Sequence, residues 1–150
     1  MTENDLPITP SQGRYLCGIL YQRLGSSGPV RTGDLATRLS VSRASVTETI
    51  EQFDERNFLA YEPYQGVELT ARGEELARRL FWRQCAIRQF FEQTLGMPLE
   101  TDRAYQIGFS LSTATIQAIS EYVDQPCDER CEASSREECD LAVPTRSSKA

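Results

Sequence analysis

Residues 31–70 constrain the fold of this chain more than any other stretch. Between Arg31 and Leu39 the apolar positions Leu35, Ala36 and Leu39 fall on one helical face. Ser40 and Val41 break the pattern. A second helical pattern then runs from Ser42 to Phe53, with Val46, Ile50 and Phe53 inward and Ser42 placed to cap it. Asn57 can close that helix. Leu59–Tyr61 and Val67–Leu69 are short strand-like runs around a Gly66 turn, which predicts a β-hairpin. Two short helices about a tight turn, followed by a hairpin wing, predict a winged helix-turn-helix, whose second helix enters the major groove by its N-terminal residues.

The same elements could be ordinary α+β packing, but the start of the second helix argues for a reading surface. Ser42, Arg43, Ala44, Ser45, Thr47 and Glu48 are short or charged, and several are poor helix formers that a purely packing helix would not need. Small hydroxyls and a guanidinium approach base edges and phosphates closely. Glu48 is placed to accept from a cytosine amino group or to repel other bases. Tyr64 and Gln65 on the wing, with Arg31 and Arg72, are the candidates for holding the DNA backbone.

The fold class expected is mainly α, an N-terminal winged helix-turn-helix followed by a helical dimerisation region. Thr9, Pro10 and Gln12 open a first helix that runs to about Leu24, with Leu16, Ile19, Leu20 and Leu24 buried. Thr70 caps a long helix from Ala71 to about Leu95, ended by Gly96 and Pro98. A last helix is expected from Asp102 to about Val123. Its apolar residues (Ile107, Phe109, Leu111, Ile116, Ile119, Val123) spread around the circumference, so it needs two surfaces to bury against, one of them a second copy of the chain. The expected boundaries are 1–73 for the DNA-binding domain, 74–123 for the dimerisation region and 124–150 for an acidic, Cys-containing tail expected to be flexible.

Charge supports this division. Residues 121–140 carry eight acids against Arg130 and Arg136, which accounts for the whole net charge of −6. The rest of the chain is balanced. Within it Arg72, Arg78, Arg79, Arg83 and Arg88 oppose only Glu74 and Glu75, a basic stretch expected to face phosphates. Fifteen of the sixteen basic residues are Arg and only Lys149 is Lys. An acidic, Lys-poor chain resembles halophile proteins, in which counterion release would add little to DNA affinity; a GC-rich genome is the alternative source of the bias. No apolar run approaches the ~20 residues of a bilayer span, and the acidic N-terminus is unlike a secretion signal, so no membrane partner and a cytoplasmic location are expected. Five cysteines without a secretion signal favour thiols or metal ligands over disulfides. An enzyme is not expected: there is no histidine for acid–base work, no glycine-rich phosphate loop and no nucleophile beside a base.

From Pro10 to Val123 the pattern resembles the DtxR/MntR family of metal-dependent transcriptional regulators. The resemblance is carried by RYLCGIL over Arg14–Leu20, DLATRLSV over Asp34–Val41, SVTETI over Ser45–Ile50, YQGVELTARG over Tyr64–Gly73 and RRLFWR over Arg78–Arg83. It implies a homodimeric repressor of a palindromic double-stranded DNA operator, with a divalent manganese or iron site built by the helices after the wing. The implied ligand positions depart from that chemistry. They fall at Arg14 and Cys17, at Gln84 beside Cys85, and at Tyr105, Gly108 and Phe109, of which only Cys17 is a good transition-metal ligand.

Three readings of the signal follow. The regulator has dispensed with metal, Tyr105 and Phe109 filling the old site; or Cys17 and Cys85 sense oxidants or share a soft metal, against the plainer reading of small buried hydrophobes. In the third, Cys127, Cys131 and Cys139, spaced C-x₃-C-x₇-C, form a thiolate cluster for zinc or iron, although structural zinc wants four ligands. A dimeric adaptor that no longer binds DNA is the alternative function, and an acidic tail that competes with DNA is a further expectation.

Overall fold

Side-chain caps at Ser42, Thr70 and Ser112 set where three of the helices begin. The computed structural model describes residues 6–125 and 127–136. Its elements in order are α1 (Pro10–Gly25), α2 (Thr32–Leu39), α3 (Arg43–Glu55), β1 (Leu59–Glu62), β2 (Gly66–Leu69), α4 (Ala71–Gln89), a π-helical turn (Phe90–Thr94), α5 (Thr101–Ser110) and α6 (Thr113–Tyr122). The described residues form two compact units, Ser11–Ala77 and, discontinuously, those up to Pro10 with those from Arg78 onward. The mainly helical architecture with an N-terminal winged helix-turn-helix agrees with expectation.

In the unit Ser11–Ala77, Leu16, Ile19, Leu20, Leu35, Val46, Ile50, Phe53, Phe58, Leu59 and Val67 are all essentially sealed from solvent. The helical members of this set are inward positions of the sequence pattern, which Phe58, Leu59 and Val67 join in the fold. The Phe53 and Phe58 rings meet edge-on with centroids 5.6 Å apart, a favoured geometry for aromatic quadrupoles. Between α2 and α3 the chain turns on Ser40, in the left-handed conformation (φ 58°). Ser40 N–H donates to Thr37 O (3.3 Å) and Val41 N–H to Ala36 O (3.1 Å), so two carbonyls at the end of α2 are satisfied by a Schellman turn. Strands β1 and β2 pair antiparallel, Leu59 opposite Leu69 and Glu62 opposite Gly66. Val30 adds a bridge to Val67, donating and accepting at 2.9 and 2.8 Å.

The wing is stitched to the start of α4. Thr70 Oγ1 donates to Asn57 O (2.7 Å) and accepts from Gly73 N–H (3.1 Å), while Thr70 N–H donates to Phe58 O (3.1 Å). A methyl at Gly73 would collide with the Phe58 carbonyl oxygen. Only glycine lets the first turn of α4 lie this close to the backbone just before β1.

In the other unit, Trp82, Ala86, Ile87, Ala104 and Ile116 form a buried cluster, with Phe91, Leu99, Ile107, Leu111, Ile119 and Cys127 packed on it. Two expectations are corrected here. Residues 102–123 are not one helix: Leu111 is extended (φ −100°, ψ 157°) and Ser112 starts α6, its Oγ accepting from Thr115 N–H at 3.2 Å. The break lets Ile107, Leu111, Ile116 and Ile119 pack on the same cluster, so the apolar circumference is largely satisfied within one protomer. The tail is also not polar coil throughout. Cys131 and Ala133 are 1% and 5% exposed, and Cys131 N–H donates to Arg78 O at 3.0 Å. Arg78 in turn donates to Cys131 O (3.0 Å) and Ala133 O (2.7 Å). Backbone carbonyls hold this segment, and composition does not register them. Among the described residues no helix is long and apolar enough to cross a membrane.

Replacing Gly73 with Ala will lower stability by about 1–3 kcal/mol, the range for overpacking a tight contact. Urea unfolding will read this as an earlier midpoint at unchanged slope, whereas Ala71→Gly will leave the contact with Phe58 intact.

Candidate nucleic-acid interface

The exposed end of α3 is built by its cap. Ser42 lies outside the helix (φ −75°, ψ 157°), and its Oγ accepts from Ser45 N–H at 3.0 Å while donating to Ser45 Oγ at 3.1 Å. Ser42, Arg43, Ala44, Ser45, Thr47 and Glu48 are all exposed, as the inward positions Val46, Ile50 and Phe53 require. The first turn of α3 contains no acid. Its remaining N–H groups and the positive end of the helix dipole therefore favour an incoming anion. The Ser42 hydroxyl is already committed to the cap, so its principal work is to hold the turn that presents its neighbours.

Arg31, Arg43, Tyr64 and Gln65 are brought together. They line one concavity of about 470 Å³ with Thr32, Gly33, Asp34, Thr37, Tyr61 and Gly66. Two guanidinium groups face one carboxylate there. Arg43 reaches across α2 over Gly33: a methyl at Gly33 would lie 2.9 Å from an Arg43 terminal nitrogen. Tyr64 sits at the tip of the wing, fully exposed and in the left-handed conformation (φ 70°). Thr32, Thr37 and Tyr61 were not foreseen as part of this surface. Their signal was present, since Thr32 and Thr37 lie off the Leu35/Ala36 face of α2, but the groove they line exists only once the wing is folded.

Arg72 is exposed yet stands outside that concavity, its guanidinium 4.6 Å from the Phe58 ring centroid, with Arg56 at 4.9 Å from the same ring. Three other members of the expected basic stretch are corrected, Arg79 remaining half-buried. Arg78, Arg83 and Arg88 are 9%, 1% and 3% exposed and cannot meet phosphates. Arg83 donates to Gly108 O (3.0 Å), Leu111 O (2.5 Å) and Thr113 Oγ1 (2.8 Å) instead. A helical charge pattern does not distinguish a solvated guanidinium from one spent on backbone carbonyls.

The residues at the implied metal positions do not fit a manganese or iron ion. Tyr105 donates its hydroxyl to Pro10 O at 2.6 Å, Phe109 packs on the Tyr105 ring with centroids 5.8 Å apart, and Gly108 has no side chain. Gln84 is buried and is a neutral amide. Arg14 is a fixed cation. Burial pushes the Cys17 thiol up from 9.0 to about 12, and the Arg14 guanidinium offsets only part of that. Metal ligation and oxidation both proceed through the thiolate, which this environment disfavours. Among the described residues no three His, Cys, Asp or Glu side chains cluster as a metal site. Cys17, Cys85, Cys127 and Cys131 carry thiols. Cys127 packs on the apolar cluster and Cys131 is buried, while Cys139, the third member of the expected tail cluster, lies outside the described residues.

Arg43→Ala will weaken specific DNA binding by about 1–3 kcal/mol, roughly 5- to 150-fold. Gly33→Ala, which displaces that guanidinium without removing it, will have a smaller effect in the same direction by fluorescence anisotropy. The Cys17 thiol also predicts a pH dependence. Its folded value lies above its unfolded one, so between pH 9.0 and about 12 the unfolded chain loses this proton first and stability falls as pH rises. Thermal melts of Cys17→Ala across that window will decline less steeply than those of the parent.

The geometry has clear counterparts. Residues 8–67 match the iron-dependent repressor N-terminal DNA-binding domain family. The HTH-type transcriptional regulator MntR of Lysinibacillus sphaericus is 33% identical over 119 residues, covering 77% of this chain and 83% of that protein. MntR of Shouchella clausii is 36% identical over 84 residues, covering 56% and 58%. Among solved structures, IdeR of T. acidophilum superposes with a TM-score of 0.67 at 22% identity, covering 85% of this chain and 58% of that one. A manganese-dependent transcriptional repressor in complex with manganese gives 0.69 at 24%, covering 77% and 53%, so this chain spans little more than half of either structure. These structures establish the shared fold. The extent of the MntR match places this chain in the DtxR/MntR family of DNA-binding transcriptional regulators.

Proposed function

We propose that the protein represses transcription by binding a two-fold symmetric duplex site as a homodimer, each protomer placing the start of α3 in the major groove. Residues 1–73 serve as the reading part and 74–123 as the dimerisation part. The observation that carries this is the exposed, acid-free first turn of α3, flanked by the concavity lined by Arg31, Arg43, Tyr64 and Gln65. Arg43, Ala44, Ser45, Thr47 and Glu48 meet base edges and nearby phosphates. Tyr64, Gln65, Arg31 and Arg72 hold the backbone, with Ser42 keeping the turn in place.

Support for dimerisation comes from the surface of the second unit. Tyr122 is 70% exposed, Met97 53% and Leu95 48%, with Tyr122 against Phe90 at 6.1 Å between ring centroids. Large apolar side chains gathered in one unit suit a partner surface better than water. A repressor that acts at promoters belongs in the cytoplasm, and nothing in the chemistry of the site suggests turnover of a substrate.

Selection from a random duplex library by the purified chain is the direct test. An inverted repeat will be enriched, its half-sites about one helical turn or a multiple apart, with two chains bound per repeat or a multiple of two. No enrichment over non-specific binding, or enrichment unaltered in an Arg43→Ala, Thr47→Ala double variant, would remove the reader assignment. Tyr122→Glu will shift sedimentation towards the monomer and weaken binding to the full repeat more than to a half-site.

A further inference from the structure

We propose that hydrogen bonds from Arg83 and Tyr105 do the structural work that a metal ion does in the family, so that this protein binds DNA without a divalent metal. The proposal rests on the DNA-binding reading above, and it begins from the carbonyls at the end of α5. The last carbonyls of a helix have no partner within it and form the negative end of its dipole. Here Gly108 O and Leu111 O both accept from one terminal nitrogen of Arg83, at 3.0 and 2.5 Å, and the other terminal nitrogen donates to Thr113 Oγ1 at 2.8 Å. Arg83 is 1% exposed. A guanidinium on α4 thus joins the end of α5 to the start of α6, at the point where the chain is extended.

Tyr105 supplies the second link. At 4% exposure it donates to the carbonyl of Pro10 at 2.6 Å, joining α5 to the first residue of α1. Phe109 packs on its ring. Three of the positions at which the resemblance implies ligands, Tyr105, Gly108 and Phe109, are therefore used in hydrogen bonding or packing by the chain itself. Steric room is tight as well. A methyl at Gly108 would stand 3.1 Å from the main-chain carbonyl of Arg83, so a side chain at this position needs α4 or α5 to give by a few tenths of an ångström. A metal is taken up and lost with its concentration, and its contribution follows mass action. A side chain is always present. The guanidinium also stays charged at any physiological pH, so its hold on the α5 carbonyls does not switch.

The test uses the full chain stripped with EDTA, and has two independent arms. In the first, isothermal titration with manganese(II), and with iron(II) under anaerobic conditions, will show no stoichiometric binding, and saturating metal will move the melting temperature by less than about 1 °C. In the second, affinity for the selected duplex will differ by less than about twofold between EDTA and excess manganese. One metal bound per chain, or tenfold tighter DNA binding with metal, overturns the proposal. If no duplex is selected in either condition the DNA-binding reading fails, and the first arm alone still decides whether the chain takes metal. Tyr105→Phe removes one hydroxyl with little change of shape and will lower the melting temperature by about 2–4 °C. Arg83→Lys keeps the charge but loses the fork and will lower it further, with no recovery on adding manganese. Melting unchanged in both variants would equally overturn the proposal.

Discussion

A buried guanidinium must find acceptors or leave the interior, and that demand organises the C-terminal part of this protein. Desolvating a charge costs several kcal/mol unless hydrogen bonds repay it. Arg83 meets the demand at its two terminal nitrogens, with two carbonyls at the end of α5 and the Thr113 hydroxyl. Arg78 meets it with the carbonyls of Cys131 and Ala133. In both cases the acceptors come from places where backbone is not spent on regular structure, a helix end and an irregular segment. The break at Leu111 is therefore more than a helix stopping. It exposes the carbonyls that an internal cation needs, and Ser112 starts α6 at once so that the next N–H groups are not left open.

The N-terminal unit depends on a different economy, close backbone approach. Gly73 lets α4 touch the Phe58 carbonyl, and Gly33 gives Arg43 a bare stretch of α2 to cross. Gly33 lines the candidate reading surface beneath the Arg43 guanidinium, and Gly73 ties the start of α4 to the backbone that leads into the wing. The exposed polar start of α3 is consequently held from behind by apolar residues and at its first turn by the Ser42 cap. Short side chains can then be presented at a defined place without ordering long ones, which keeps the entropy cost of docking small.

Membership of a family of regulators fixes what kind of surface to look for and leaves the signal open. In this chain the positions that the resemblance assigns to metal ligands hold an arginine, a thiol raised by burial, an amide, a phenol, a glycine and a phenylalanine. The three of them on α5 are coherent as an interior: the Tyr105 phenol has a carbonyl, its ring packs on Phe109, and Gly108 admits the backbone of α4. Loss of a ligand set without such replacement would leave a cavity lined by unmatched groups, and the helices around it would close imperfectly.

The sequence alone determined the elements whose signals are local. Ser42 and Thr70 cap the helices they were expected to cap, the Ser40–Val41 break is the turn, and Val46, Ile50 and Phe53 are buried at helical spacing. Caps and amphipathic faces act within a few residues, so they can be read without knowing the fold. The tertiary structure decided what depends on distant partners: which arginines of α4 face solvent, that residues 102–123 make two helices, and that Cys127 and Cys131 anchor part of an acidic tail. Arginine has the same helical signature inside and outside. Only carbonyls that lie 25 to 55 residues away in the chain settle where it goes, because a buried charge is governed by the acceptors that the fold brings to it.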